Sequence, residues 1–556
     1  MVPSVDRRVL ALAGIVLTGL VLRLWGIDFG LPHSYANDEY HEVFRALQLG
    51  SGGFNLDRTG KGGFYFLLFA EYGFYFVWLK LTGAVHSAQD FALHFIRDPT
   101  PFYLMGRITA VAFGAATIVS VYALGKRAYT VSAGLIAAAI LCLNALHVVL
   151  SHRIGVDVPM TFLVTVSLLF AVDVAEQGKA ASYWWAALFA ALATTTKLPG
   201  MVLLVPLLIA HFYNASSKGT GGGGLASREL WVAAAIFFIA LVGTNPGILF
   251  DFNPLRLFTS GDEDAEAMPA SPNLFVYYLL VLADSMGWPM LVVSLAAVGW
   301  ALWKRTKTDV MLLSFGSVFY VLLSITTSSV LYYPRYVLPV IAVLAVLAGR
   351  MLAELLATFR ATAKPAIAVM AVAALLWIPA ARSVHDSRLL TQPDTRTLAE
   401  NWIETHIPPG TTIGIEGLKI KPVKGTVQLQ DSAENIRERI EYWRKREPKQ
   451  AKFLEYELQA VAGPNYDLEL ITRADAKPLS DYVCGGVRYF VIRPTGFVSS
   501  RRTSDAAEDL LQDLGSDPRV HKIKGFYPDP DKTPGPAIEI YAVDQPPAGC
   551  TDLSAS

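Results

Sequence analysis

The stretch YLMGRITAVAFGAATIVSVYAL, residues 103–124, decides the fold class. Its single charged residue, Arg107, lies near its start, and most of the remaining side chains are apolar. A helix needs about 20 such residues to cross the hydrocarbon core of a membrane, and comparable runs recur along the chain, so the sequence predicts a polytopic α-helical membrane protein with about eleven spans. The other runs are 9–25, 133–150, 159–176, 183–195, 199–213, 229–249, 287–303, 310–328, 336–357 and 365–382.

The composition agrees with a membrane protein over most of the chain. Of 556 residues, 53% are hydrophobic and 17% are charged, and the mean hydropathy is +0.39. Soluble domains average about 25% charged residues. The formal net charge is zero, which gives no reason to expect a nucleic acid partner. The first apolar run follows Arg7 and Arg8 but ends without a small-residue cleavage site, so we interpret it as a retained span.

The charges of the loops predict the orientation. Lys and Arg concentrate in short cytoplasmic loops. With Arg7 and Arg8 inside, the later basic loops also fall inside if the aromatic-rich run 64–82 does not span, whereas they would all be external if it did. We therefore expect a cytoplasmic N-terminus in the inner membrane and a long first external loop over 26–102. The run 64–82 is then an amphipathic helix in the outer interface, with 274–286 as a second candidate. The acidic stretch 262–266 falls outside as well.

The composition changes at about residue 383, where charged clusters and short alternating runs begin. We divide the chain into a transmembrane domain, 1–382, and a soluble extracytoplasmic α/β domain, 383–556. Cys484 and Cys550 both lie in the second domain, and whether they form a disulfide stays open. Strands are predicted at 487–492 and 537–541, and helices at 400–406, 434–445 and 504–514.

An acidic pair follows the first span, in the run Asn37-Asp38-Glu39-Tyr40-His41. Two adjacent carboxylates at a membrane surface cost solvation energy unless something uses them. One carboxylate can deprotonate an acceptor hydroxyl while the other orients it or binds a cation. A solvated helix N-terminus, which favours Asp and Glu through the helix dipole, explains the pair equally well. Tyr40 and His41 are candidates to line an acceptor pocket.

A second cluster lies between the third and fourth predicted spans, on the same outer side, and includes His152 and Asp157. Asp157 precedes Val158-Pro159 and so marks a helix start, where it is either an N-cap or a site residue. The two roles are compatible with each other. His152 is either an interfacial residue or a pocket ligand, and the sequence favours the first interpretation slightly.

Three basic residues lie near the outer ends of predicted spans: Arg107, Lys197 and Arg335. A charge at membrane depth is expensive and usually has a partner, and guanidinium and ammonium groups suit the oxygens of a lipid phosphate. Snorkelling to the interface is the structural alternative. Tyr336 follows Arg335 and belongs either to the same phosphate site or to an aromatic belt.

Patterns typical of other chemistries do not occur in the sequence. We find no metal-ligand spacing of the HExxH or CxxC type, and the run Gly221 to Gly224 lacks the Lys-Ser/Thr continuation of a phosphate-binding loop. The metal and the cofactor therefore stay unknown, with a divalent cation as the candidate.

The order of these motifs resembles the GT-C glycosyltransferases, in particular the protein O-mannosyltransferases and the lipid A aminoarabinose transferases. The resemblance covers residues 9–345. It is carried by a short basic N-terminus, one span, an early acidic pair, an aromatic interfacial run and three further motifs. These motifs are Ser151-His152-Arg153 leading to Asp157-Val158-Pro159, Thr196-Lys197-Leu198-Pro199-Gly200 and Arg335-Tyr336-Val337-Leu338-Pro339.

The resemblance implies a transferase that moves a sugar from a polyprenyl-phosphate donor to an acceptor hydroxyl at the outer face. Asp38 would be the catalytic base with Glu39 beside it, and Asp157 would build the acceptor side or hold a cation. Arg107, Lys197 and Arg335 would hold the donor phosphate. The acceptor, whether glycan, lipid or protein, stays open. The segment Lys61-Gly62-Gly63-Phe64-Tyr65 departs from the Lys-Pro-Pro-like stretch of aminoarabinose transferases, which argues against lipid A.

A transporter or lipid flippase is the alternative to a transferase. Transporters carry ionisable residues near the bilayer midplane and internal symmetry. In this sequence the predicted spans are almost free of acids, and the charged residues collect at the outer rim. The pattern therefore favours chemistry at the interface, with membrane lipids as neighbours of the donor.

Overall fold

The computed structural model describes residues 6–51, 62–217, 224–249, 273–325, 333–360, 365–417, 421–422, 424–472, 476–494 and 505–544. Most of the described residues before 391 are helical. The helices are α1 (Arg7–Leu24), α2 (Asn37–Gln48), α3 (Gly62–Leu81), α4 (Ala88–Arg97), α5 (Thr100–Ala128), α6 (Val131–Cys142), α7 (Ala145–Ser151), α8 (Asp157–Gln177), α9 (Ala180–Thr196), α10 (Leu204–Ser217), α11 (Arg228–Thr244), α12 (Leu274–Met286), α13 (Trp288–Lys304), α14 (Lys307–Ile325), α15 (Leu338–Arg360) and α16 (Pro365–Leu390).

Apolar helices of membrane-spanning length make this a multi-pass membrane protein. Within the described residues, six qualify by length and composition, or up to eight if each of two bent pairs is one span. The expected number of about eleven is not confirmed. Helices α9 and α11 have 17 residues each, at the lower limit for a span. The six are Gly62–Leu81, Thr100–Ala128, Asp157–Gln177, Leu198–Ser217, Lys307–Ile325 and Pro334–Thr358.

The predicted span 133–150 is broken in the structure. Helix α6 ends at Cys142, α7 begins at Ala145, and the two are bent by 63°. Fully buried Arg23 donates to the carbonyls of Leu141, at 3.5 Å, and Cys142, at 3.2 Å. A break in an apolar helix leaves carbonyls without partners, and a neighbouring side chain must satisfy them. Arg23 therefore stabilises the break.

Helix α3 packs against the ends of other helices. Near its first residue, Gly63 lies so close to Thr195, in the last turn of α9, that a Cβ atom would be 2.8 Å from the Thr195 Oγ1. In its second half, Tyr72 packs against Phe102, in the first turn of α5, with ring centroids 5.5 Å apart. Helix α3 thus reaches from the end of α9 to the start of α5.

The C-terminal part contains a mixed sheet, which has five strands in the order β2-β1-β3-β5-β4 within the described residues. Strand β1 is parallel to β2 and β3, and β5 is antiparallel to β3 and β4. Buried apolar clusters pack on the sheet. The strands are β1 (Thr412–Glu416), β2 (Asp467–Ile471), β3 (Tyr489–Ile492), β4 (Val520–Phe526) and β5 (Ile538–Val543), and the helices are α17 (Thr395–His406), α18 (Ala433–Arg446), α19 (Pro448–Ala460), α20 (Leu479–Cys484) and α21 (Asp505–Ser516).

The cysteines differ in state. Cys142 is buried and free, whereas Cys484 is disulfide-bonded. Cys550, with which the sequence suggests a pairing, lies outside the described residues, as does the acidic stretch 262–266.

Candidate functional site

A chain of four charged side chains joins the ends of several helices. Lys197 Nζ lies 2.5 Å from Asp157 Oδ1, and Arg335 Nε lies 3.6 Å from Asp157 Oδ2. The same guanidinium pairs through Nη1 with Asp38 Oδ2. The structure thus brings together Asp38, Asp157, Lys197 and Arg335, although they are far apart in sequence.

Local sequence explains how these side chains are presented. Asp157 is the first residue of α8, where the helix dipole favours a negative charge. Lys197 is the C-cap of α9 and precedes a 3₁₀ helix, Leu198–Leu203. Gly200 in that segment passes so close to α9 that a Cβ atom would lie 2.5 Å from the Ala193 carbonyl carbon. Only glycine fits this approach, which holds Lys197 at the end of its helix.

Aromatic rings support the two basic groups. Lys197 Nζ lies 3.8 Å from the centre of the Tyr336 ring, and the Arg335 guanidinium lies 4.0 Å from the centre of the Tyr333 ring. Such contacts stabilise a cation in surroundings that are short of water. Tyr336 therefore belongs to the cluster as the sequence suggested, and Tyr333 is an addition that the sequence analysis missed.

Exposure distinguishes the two carboxylates of the cluster. The Asp38 side chain is 56% exposed, whereas that of Asp157 is 8% exposed. An incoming hydroxyl can therefore reach Asp38 directly, while Asp157 is covered by its two basic partners. Arg335 and Lys197 are exposed to 24% and 17%, so each retains some access for an anion.

Glu39 and Arg107 form a separate, fully buried pair. The Glu39 carboxylate accepts hydrogen bonds from Arg107 Nε at 2.9 Å and Nη2 at 2.7 Å, and both side chains are 0% exposed. Arg107 Nη1 donates to the Ile27 and Phe29 carbonyls. The structure therefore does not bring Arg107 or Glu39 into contact with the chain of four charges.

The remaining candidates lie around α2 and α7. His152 is buried, with ring nitrogens 2.9 Å from the Val148 carbonyl and 3.1 Å from the Trp25 carbonyl, so it links α7 to the end of α1. His41 is exposed and meets Tyr40 edge to face. Burial raises the pKa of Tyr40.

Lys421 of the C-terminal part also contacts α2. Its Nζ lies 3.4 Å from the centre of the Tyr40 ring. Sequence analysis missed this contact because nothing in the sequence around Lys421 marks it as part of a site.

The described side chains around the charged cluster do not form a ligand set for a metal ion. In the part of the chain that the structure describes, no three His, Cys, Asp or Glu side chains gather as a metal site would require. Asp38 and Asp157 share Arg335, and the charge of each is already balanced by a basic group. The candidate divalent cation therefore gains no support from this geometry.

A family model described as dolichyl-phosphate-mannose-protein mannosyltransferase matches residues 104–245. No curated protein matches the chain. Among solved structures, the oligosaccharyltransferase of Archaeoglobus fulgidus in the apo form is 12% identical, with a TM-score of 0.48 over 88% of this chain and 69% of that one. ArnT from Cupriavidus metallidurans in the apo state is 14% identical, with a TM-score of 0.46 over 96% of this chain and 98% of that one.

A third structure, the Pmt1-Pmt2 protein O-mannosyltransferase complex of S. cerevisiae bound to the sugar donor, is 16% identical, with a TM-score of 0.32 over 51% of this chain and 37% of that one. Because all three TM-scores are below 0.5, we assign the site from the geometry of this chain alone. The matched stretch 104–245 contains Asp157 and Lys197, and with it the chain resembles the protein O-mannosyltransferase-like glycosyltransferases of the GT-C fold.

Proposed function

We propose that the chain transfers a sugar from a polyprenyl-phosphate donor to an acceptor hydroxyl. The observation that supports this most is that an exposed carboxylate, Asp38, pairs with Arg335, which shares the buried carboxylate of Asp157 with Lys197. The description of the matching family, a dolichyl-phosphate-mannose-protein mannosyltransferase, supports a lipid-phosphate-linked sugar as the donor.

Lys197 and Arg335 hold the donor phosphate in this proposal. Both are partly exposed, and their contacts with Asp157 and Asp38 use only some of their donors. A phosphate that enters between them replaces part of these ion pairs with charge-assisted hydrogen bonds. Asp157 then positions the two basic groups, and its own burial keeps it out of reach of the acceptor.

The reaction follows from these positions. Asp38 accepts the proton of the acceptor hydroxyl as its oxygen forms a bond to the anomeric carbon. The bond between that carbon and the phosphate oxygen breaks, and polyprenyl phosphate leaves. Lys197 and Arg335 stabilise the charge that develops on the departing phosphate. No group needs to protonate this leaving group, because a phosphate is stable as an anion.

The buried pair of Glu39 and Arg107 has a positioning role in this scheme. It fixes the start of α2 against α5, and the Ile154 amide donates to Glu39 Oε1 at 3.0 Å. The segment before Asp157 is thereby tied to the helix that carries Asp38. We propose that this contact, and not a direct contact with phosphate, is the contribution of Arg107.

The proposed layout in the membrane has the N-terminus in the cytoplasm and the site at the outer face of the inner membrane, with about eleven spans. The part after residue 382 lies outside as a separate domain. Helix α3 lies in the outer interface in this layout, although its composition would allow it to span. Its contacts with Thr195 and Phe102, at the ends of α9 and α5, support that placement.

Lys197 gives a direct test of donor binding. Replacing it with methionine is expected to reduce the polyprenyl-phosphate lipid that co-purifies with the chain about tenfold or more, because a hydrogen bond to a charged group contributes about 1.5–3 kcal/mol. Mass spectrometry of lipid extracted from equal amounts of purified protein measures the effect.

Lys304→Met is the matched control, because Lys304 also ends a helix beside aromatic rings but lies outside the cluster. It should retain the lipid. Equal lipid in both variants would contradict the assignment of Lys197. Bound lipid without any transfer to acceptors would favour a flippase instead.

A further inference from the structure

Two lysines of the C-terminal part lie against the helix that carries Asp38. Lys424 Nζ donates to the His33 carbonyl at 2.5 Å. Lys421 Nζ lies 3.4 Å from the centre of the Tyr40 ring and 5.6 Å from that of Phe453. Within the described ranges Lys421 makes no hydrogen bond or salt bridge. Its ammonium group thus has rings around it but no anion in contact.

The local charge balance is positive. Burial and the neighbouring Lys424 lower the pKa of Lys421, and burial together with Arg396 lowers the pKa of Lys424 to about 8. Glu457 is the nearest acid that acts on both lysines, and burial raises its pKa. Arg396 is already paired with Asp394 at 2.7 Å. The two lysines therefore have one acid, Glu457, in common, and a second negative charge would favour their protonated forms.

The fold places these lysines where α/β sheets bind ligands. The parallel strands are ordered β2-β1-β3, so the chain leaves β1 in one direction and β3 lies on the other side. Ligands bind at such switch points, beyond the carboxyl ends of the strands. Lys421 and Lys424 follow the end of β1. Glu416, the last residue of β1, accepts hydrogen bonds of 2.7 and 2.8 Å from the Arg493 guanidinium.

The position relative to Asp38 follows from helix geometry. Asp38 and Tyr40 are two residues apart on α2 and therefore point to opposite sides of the helix. A helix with its side chains is about 10–12 Å across. The Lys421 ammonium group above Tyr40 therefore lies on the order of one helix diameter from the Asp38 carboxylate. Both residues belong to the first turn of α2, so an acceptor reaches both groups by passing around the start of this helix.

We propose that Lys421 and Lys424 bind an oxyanion, a carboxylate or phosphate group carried by the acceptor, whose hydroxyl reaches Asp38. This inference rests on the proposed transferase function. It narrows the acceptor to an acidic molecule, and it gives the C-terminal part a role in selecting that molecule. Neutral acceptors of the same shape would leave the two ammonium groups without a counter-charge.

Chemical labelling of the full-length protein tests the site. The chain in phosphatidylcholine nanodiscs is treated at pH 7.5 with a limiting amount of the neutral reagent N-hydroxysuccinimidyl acetate, and acetylation of Lys421 is measured by peptide mass spectrometry. Millimolar phosphate or glucuronate is expected to reduce this acetylation about tenfold. Glucose, and potassium chloride at equal ionic strength, should have no effect.

Substitutions test whether both lysines are needed to bind the anion. Lys424→Met is expected to abolish the protection of Lys421, while Lys532→Met, which removes an exposed lysine of the same part of the chain, retains it. Protection should also weaken above pH 8, because Lys424 loses its proton there. Equal acetylation with and without the anions, or equal protection by chloride, would overturn the proposal.

A further labelling experiment distinguishes a lipid source of the oxyanion from a soluble one. Nanodiscs that contain phosphatidylglycerol offer a lipid phosphate whose charge is not balanced by a choline group, and protection of Lys421 in these discs without added anion would assign the acidic group to a lipid acceptor. Protection by soluble anions alone would assign it to a glycan or peptide. The Asp38→Asn variant should retain the protection, since labelling requires no transfer, so failure of the anion site and failure of the transferase assignment are distinguishable.

Discussion

Replacing Asp38 with asparagine is expected to lower the rate of sugar transfer by about 10²–10⁴-fold, the usual contribution of a general base. Asparagine keeps the size of the side chain but cannot accept the acceptor's proton. Arg335 retains Asp157 as a partner at 3.6 Å in this variant, so the donor site should persist. Initial rates with saturating donor, together with the amount of co-purified polyprenyl-phosphate lipid, measure the two effects separately.

The matched control for Asp38 is Asp28→Asn. Asp28 is an exposed carboxylate that follows α1 and lies outside the chain of four charges. Its replacement should leave the rate within a factor of about two, since surface substitutions usually have small effects. A rate for Asp38→Asn equal to that of this control would remove Asp38 from the mechanism, whatever the lipid content of the protein.

Sequence reasoning located the members of the charged cluster better than their partners. Asp157, Lys197 and Arg335 each lie at the end of an apolar run, Asp38 lies in the long loop that follows the first run, and counting spans places all four on one side. The structure brings these four residues together. Their catalytic and binding roles stay predictions, because proximity alone does not test chemistry.

The sequence alone did not predict which charged residues form ion pairs inside the fold. Arg107 and Glu39 are separated by 68 positions, and each resembles a site residue in sequence: Arg107 is a charge near the end of an apolar run, and Glu39 belongs to the acidic pair of the first external loop. Only the packing of α5 against the start of α2 reveals that the two side chains form an ion pair and are buried. A sequence reports that a buried charge needs a partner, but not which of several opposite charges provides it.

Breaks and contacts between distant parts of the chain were missed for a related reason. Hydropathy gives the length of an apolar run but not its straightness, and 133–150 is bent because Arg23 satisfies the carbonyls at the break. Strands at 489–492 and 538–543 match predicted alternating runs. The contact of Lys421 with Tyr40, in contrast, depends on how the C-terminal part packs on α2, and no local sequence pattern encodes that.

The buried pair yields the second large effect. Glu39→Gln is expected to destabilise the protein by about 3–5 kcal/mol, the cost of leaving one member of a buried ion pair without its partner. Glu39 accepts hydrogen bonds from Arg107, from Ser34 Oγ at 3.0 Å and from the Ile154 amide. Glutamine offers one acceptor oxygen and turns its amide NH2 group, a donor, towards the guanidinium, which stays charged.

The measurement is the apparent melting temperature of the detergent-solubilised protein. Glu176→Gln is the control, because Glu176 is 39% exposed in its ion pair with Arg127, and exposed pairs contribute about 0–1 kcal/mol. The double variant Glu39→Gln, Arg107→Met should regain part of the lost stability, since it removes the uncompensated charge. If Arg107 instead held the donor phosphate, Glu39→Gln would leave the melting temperature unchanged and strengthen lipid binding. The melting temperature of this variant therefore decides whether Arg107 supports the site through the fold or takes part in it directly.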